Sequence, residues 1–201
     1  YGSVYEVVSI NNTQSLNNPK LVIKIFKEHS PNITNHLYNT TLSLQKAIKE
    51  TNTKRKAESK KNIDQFPALK CLPLISFQGI FKGKNVKGYL CQFLDKNSFS
   101  SFEDIVENKT LRDTFKKNFK VEDRISLCLN LVEGFEILQE CGYIHADLNP
   151  LNFFIDLRRK ELVVIDYDSG AITTSTNSDP QTFGKKTDSF WMSPQIISQQ
   201  D

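Results

Sequence analysis

"YIHADLNPLNFFID", residues 143–156, decides how this chain is read. His145, Asp147 and Asn152 stand close together between apolar residues, with Asp147 five positions ahead of Asn152. A second apolar run, "ELVVIDYDSG" at 161–170, follows across the charged turn "LRRK", and the two runs read as a short hairpin with acidic residues at its mouth. Asn152 and Asp166 both follow short β-like or loop segments and can bring oxygen ligands to one hard cation. Mg²⁺ takes oxygen ligands, usually only one or two carboxylates, with phosphate oxygens filling its shell. Asp147 can face the same cavity without being a ligand, where a group must sit to orient a hydroxyl or accept its proton.

The strongest helical pattern lies just upstream, in "VEDRISLCLNLVEGFEILQECG", 121–142. Its apolar residues Ile125, Leu129, Val132, Phe135 and Leu138 recur every three or four positions, and Gly142 supplies the stop. "SFEDIVEN", 101–108, starts with Ser then Glu and Asp, and predicts a short capped helix. The first third reads differently: "GSVYEVVSI" and "KLVIKIFK" are β-like runs around the polar hairpin cluster "NNTQSLNNP". In the second run Val22 and Lys24 share one face and Leu21, Ile23 and Ile25 the other. Helical spacing follows from 33 to about 50, then a basic stretch, "KRKAESKK" at 54–61, expected as a solvated helix end or loop. "LISFQGIFKGKNVKGYLCQFL", 74–94, predicts two strands around a Gly/Asn turn. Residues 171–190 are Ser/Thr/Asn-rich without a core pattern and are expected to form a long flexible segment. The chain thus divides into a β-rich lobe, 1–94, and a helix-led lobe, 95–201, with the polar motifs where they meet.

Composition narrows the function classes. The 201 residues are 38% hydrophobic and 24% charged, ordinary for a globular domain. A net charge of +3 is too small to imply nucleic-acid binding, and no run has the length and apolarity of a membrane span. None of the four cysteines forms a C-x-x-C or has histidines at metal spacing. Three of them lie in apolar runs and read as small buried hydrophobes, and a reducing, cytoplasmic setting is expected.

In this order, "YGSVYEV", "LVIK", "HADLNPLN", "DYD" and "WMSPQ" resemble the motif set of the protein kinases, incomplete at both ends. The resemblance implies an α+β, two-lobed fold: a small antiparallel sheet with one helix, then a helical lobe cut after the activation segment. It implies an ATP- and Mg²⁺-dependent transfer of the γ-phosphate to a Ser/Thr hydroxyl of a protein substrate. Under it, Gly2 closes the phosphate-covering loop, Val4 and Val22 roof the adenine, and Lys24 holds the α- and β-phosphates. Cys91 becomes the gatekeeper, Gln92 and Leu94 offer backbone groups to the base, and Phe154 floors it. Asp147 becomes the catalytic aspartate, Asn152 and Asp166 the metal ligands, and His145 a structural brace. The helix partner of Lys24 stays open between Gln45, which has the spacing, and Glu50, which has the chemistry.

The departures are specific. Ala146 removes the arginine that would pair with a phosphorylated activation segment, and Asn149 removes a cation beside the transferred group. Asp168 stands where D-F-G has its glycine, and Gln195 where a glutamate is usual. Two other functions compete. "VVIDYDSG" is similar to aminoglycoside-phosphotransferase-like small-molecule kinases, and the departures are those expected of an ATP-binding pseudokinase scaffold. Individually the residues also have plain readings: Lys24 as a snorkelling edge-strand lysine, Asp147 and Asn152 as turn caps, Asp166 and Asp168 as a solvated acidic turn.

Overall fold

Strand β4 (Leu21–Phe26) alternates half-buried and buried residues along "LVIKIF", which fixes which of its faces meets the protein. The computed structural model describes residues 2–7, 9–10, 13–14, 20–26, 31–95 and 97–173. In the polar cluster only the short strand β3 (Thr13–Gln14), paired with β2 (Ser9–Ile10), is described; residues 11–12 and 15–19, the run 174–190, "WMSPQ" and Gln195 lie outside the described residues.

β4 is an inner strand of a four-stranded antiparallel sheet with β1 (Gly2–Glu6), β6 (Lys84–Gln92) and β5 (Ile75–Phe81), in the order β1-β4-β6-β5. The register places Val4, Lys24 and Tyr89 directly across from one another, and Val22 across from Cys91. Directly opposed residues share a face, so Val4, Val22, Lys24 and Cys91 line one side of the sheet. Gly88 carries no side chain because one there would run into the Lys24 carbonyl. Helix α1 (Pro31–Ala57) packs on this sheet, with Leu37 against Phe26 and Tyr89 and the Thr41 hydroxyl accepting from Ser76 at 2.9 Å. It opens on proline and closes on Lys54, Arg55 and Lys56, a charge order that suits the helix dipole. The basic stretch differs from expectation at Arg55. This side chain is buried, hydrogen-bonded to the Lys61 carbonyl at 2.8 Å and to Glu140 at 2.7 Å, and ties the end of α1 to the second half of the chain.

The second half is helix-led. Strand β7 (Phe99–Ser101) leads into α2 (Phe102–Glu107), where Ser101 accepts from the Asp104 amide at 3.0 Å, the cap expected from the sequence. Helix α3 (Lys109–Asn118), capped by Asn108, has no fully buried residue and sets only Leu111 and Phe115, one turn apart, against the core. Helix α4 (Val121–Glu140) ends at Gly142, which takes a left-handed φ of 66°. Its buried side is only partly the one expected: Leu138 is buried and Phe135 packs against the core, but Leu127, Gly134 and Ile137 are buried with them, while Ile125, Leu129 and Val132 are exposed. The helix is apolar on more than one side, and the core takes the side on which Gly134 lets Ala68 approach closely.

β8 (Tyr143–Ile144) pairs with β11 (Ala171–Ile172), and β9 (Phe153–Asp156) pairs with both β10 (Glu161–Val164) and β7. The hairpin expected around "LRRK" is therefore present. One hydrophobic cluster runs across residue 94, joining Leu44, Ile63, Leu69 and Leu72 to Phe119, Leu127, Leu138, Val164 and Tyr167. Of the cysteines, all free, Cys71 and Cys141 are buried, Cys91 is half-buried and Cys128 is exposed. Among the described residues no helix is long and apolar enough to cross a membrane.

Candidate active site

The loop between β8 and β9 is pinned by its own amides. Asn152 donates from Nδ2 to the Asp147 carbonyl at 2.7 Å and to Asp147 Oδ2 at 3.0 Å. Asn149 donates from Nδ2 to Asp147 Oδ1 at 2.7 Å, while its own Oδ1 accepts from the Leu151 amide at 2.9 Å. Pro150 opens the short turn Pro150–Asn152 without wasting an amide hydrogen. Both Asp147 oxygens are thus held in place by side-chain amides of the loop. Asn152 is buried with its amide nitrogen taken, which leaves its Oδ1 as an acceptor with no partner among the described residues.

The strand after it delivers the carboxylates. The Ile165 amide donates to the Asn152 carbonyl at 3.0 Å, so Asp166 follows directly on the loop. Asp166 adopts a left-handed backbone, φ 67° and ψ 56°, a conformation a non-glycine residue holds at some cost and one that concentrates at functional sites. Tyr167 then turns inward, fully buried, and packs at the edge of the His145 ring with centroids 5.3 Å apart. His145 Nε2 donates to the Ile165 carbonyl at 2.9 Å, so the ring braces the loop against the strand end. The Tyr143 hydroxyl donates to the Tyr167 carbonyl at 2.5 Å and sits where a side chain on residue 170 would be, which explains Gly170.

Lys24 reaches this corner from the sheet. It is buried, with Nζ hydrogen-bonded to Asp166 and 2.8 Å from Asp168 Oδ1, and Tyr89 lies against it. An edge-strand lysine would snorkel to water; this one does not. Burial pulls its pKa down, but the charges of Asp168 and Asp166 outweigh that and hold it above the ordinary lysine value. Burial also opposes ionisation of Asp166, yet its hydrogen bond with Asp168 and the Lys24 charge hold it well below the usual carboxylate range. Asp168 goes the other way: burial, then the hydrogen bond and charge of Asp166, push it up to about 7 against the pull of Lys24. The acidic pair is a desolvated cluster, not the solvated turn its sequence allows.

Neither helix residue considered for Lys24 reaches it. Glu50 has a side chain 62% exposed and lies 4.0 Å from Lys46 on the outer surface. Gln45 lines a groove of about 1110 Å³ on another side of α1, with Leu74 and Gln92, and its amide nitrogen has no hydrogen-bond partner among the described residues. Val22 is buried and Val4 exposed on the Lys24 side of the sheet, while Gln92 and Leu94 are half-buried at the crossing between the lobes. Phe154 is half-buried, on the side of β9 opposite Phe153 and Ile155. Gly2 pairs with Phe26 at the far end of β1.

An acceptor on Asn152, a low-pKa carboxylate on Asp166 and a held carboxylate on Asp147 suit a divalent cation and a hydroxyl nucleophile. A lysine on an inner strand, a helix across it, a pinned H-x-D loop and an acidic strand end together define a two-lobed kinase-type phosphotransferase domain. The family model described as "Protein kinase domain" matches residues 33–201, and the chain belongs to that family. Members of this family generally use ATP and Mg²⁺.

Proposed function

We propose that the chain is an ATP-dependent protein kinase that phosphorylates Ser/Thr hydroxyls. The observation that carries this reading is Lys24 meeting Asp166 across 142 residues of sequence, beside a loop that holds Asp147 and Asn152. Lys24 holds the α- and β-phosphates, with backbone amides around Gly2 covering them. Val4 and Val22 cover the adenine, Phe154 floors it, and backbone groups of Gln92 and Leu94 bind its edge. Asn152 and Asp166 hold the Mg²⁺, which when bound neutralises phosphate charge. Asp147 orients the substrate hydroxyl and takes its proton as the oxygen attacks the γ-phosphate in line. Pro150 in the loop favours Ser/Thr over Tyr substrates, and free cysteines suit a cytoplasmic setting.

A second reading, transfer to a small molecule, is supported by "VVIDYDSG". One assay separates these from a scaffold. Mg²⁺-dependent γ-phosphate transfer by the full-length protein is measured to itself, to a generic protein and to an aminoglycoside, with Asp147→Asn in parallel. Transfer to protein, reduced roughly 10³-fold by Asp147→Asn, is expected. Transfer to the aminoglycoside alone selects the second reading, and ATP binding without transfer selects the scaffold.

A further inference from the structure

Lys24 is held without a carboxylate from the helix that crosses it. In all 27 residues of α1 the sole acidic side chain is Glu50, which points to solvent beside Lys46. The charge of a buried lysine still has to be balanced. Both carboxylates that balance it come from the strand end, Asp166 and Asp168, and they are not equivalent. The Asp166 side chain is 26% exposed and can turn an oxygen toward the cleft; that of Asp168 is 2% exposed and faces Lys24 at 2.8 Å. Helix α1 packs on the turn Tyr167–Ser169 that carries Asp168, so the lysine, the turn and the helix still form one unit. Once Asp166 serves a cation, Asp168 is the carboxylate left to Lys24.

We propose that Asp168 is the positioning residue of Lys24, a carboxylate supplied by the strand-end turn in place of one from helix α1. The inference rests on the reading of Lys24 as the phosphate-holding lysine. It also gives the departure from glycine at 168 a purpose: the position compensates for the acid that α1 lacks.

The test is a double-mutant cycle on Lys24 and Asp168 in the full chain, read as Mg²⁺–ADP affinity by titration calorimetry. Asp168→Asn is expected to weaken binding about tenfold, the loss of one charge-assisted contact. In a Lys24→Met background the same change is expected to cost nothing further, because its effect passes through the lysine. Asp168→Glu is expected to keep most of the affinity, and Glu50→Gln all of it. If Asp168→Asn fails to fold, Asp168→Gly, which removes the carboxylate without leaving an amide behind, carries the same comparison. An equal loss in both backgrounds, accompanied by a raised Mg²⁺ requirement, would make Asp168 a metal ligand and overturn the proposal. Unchanged affinity in Asp168→Asn would overturn it as well. A wild-type protein that binds no nucleotide fails at an earlier step, and sinks the phosphotransfer reading together with this one.

Discussion

Two polar centres meet in this molecule, and they are stabilised in opposite ways. The loop from Asp147 to Asn152 satisfies its carboxylate with neutral amides two and five residues away. The Lys24 centre satisfies a cation with carboxylates 142 and 144 residues away, in a corner mostly shielded from water. A local network can lose an uncharged, half-buried member such as Asn149 and let water take its place. A buried ionic cluster cannot, because each charge left behind has been stripped of solvent. The loop therefore tolerates drift, as Ala146 and Asn149 illustrate, whereas a change in the ionic corner calls for a compensating one, as Asp168 illustrates.

The largest effect that can break this contrast is on stability. Lys24→Met strands the buried Asp168 and the half-buried Asp166 and is expected to cost about 3 kcal/mol. Asn149→Ala removes one amide–carboxylate hydrogen bond and a turn cap, and is expected to cost about 1.5 kcal/mol. Urea unfolding of the two variants measures the difference; equal costs would mean that the corner is wetter than its burial implies. A smaller effect is on rate. Asn149→Lys puts a cation beside the transferred group, where Asn149 now only orients Asp147. Transfer is expected to rise about tenfold, since charge stabilisation dominates this chemistry. An unchanged kcat would show that the missing charge is supplied elsewhere.

The same contrast governs what could be read from sequence. The loop was legible because its contacts are short-range and its spacing is dictated by the turn they build. The face of β4 carrying Val22 and Lys24 was legible from alternation alone. The partner of Lys24 was not: spacing favoured Gln45 and chemistry Glu50, and neither argument could see that the turn at 166–168 arrives at the same point. Helix α4 misled for another reason. Ile125, Leu129 and Val132 keep helical spacing toward Leu138, but so do Leu127, Leu131 and Gly134, and the approach of Ala68 to Gly134 goes with the second stripe turning inward. Arg55 sits in a run of lysines and looks solvated until Glu140 is placed opposite it.

The smallest expected effect sharpens the contrast at its joint, where His145 links the loop to the ionic corner. Its Nε2–H is committed to the Ile165 carbonyl, so a second proton must go to Nδ1, which is buried without a hydrogen-bond partner among the described residues. Burial therefore lowers its pKa below the ordinary 6.5, more than the Ile165 carbonyl and the charges of Asp166 and Asp147 raise it. The unfolded chain then binds a proton that the folded one refuses. This contribution to stability is fully present above pH 6.5 and is lost as pH falls through the ordinary value toward the depressed one. His145→Gln keeps a donor for the carbonyl but cannot take up the proton. Denaturant midpoints of wild type and His145→Gln are expected to converge as pH drops from 7.5 to about 5, the wild type losing more. Parallel curves would mean that the folded ring protonates as freely as the unfolded one, and that the joint is open to water.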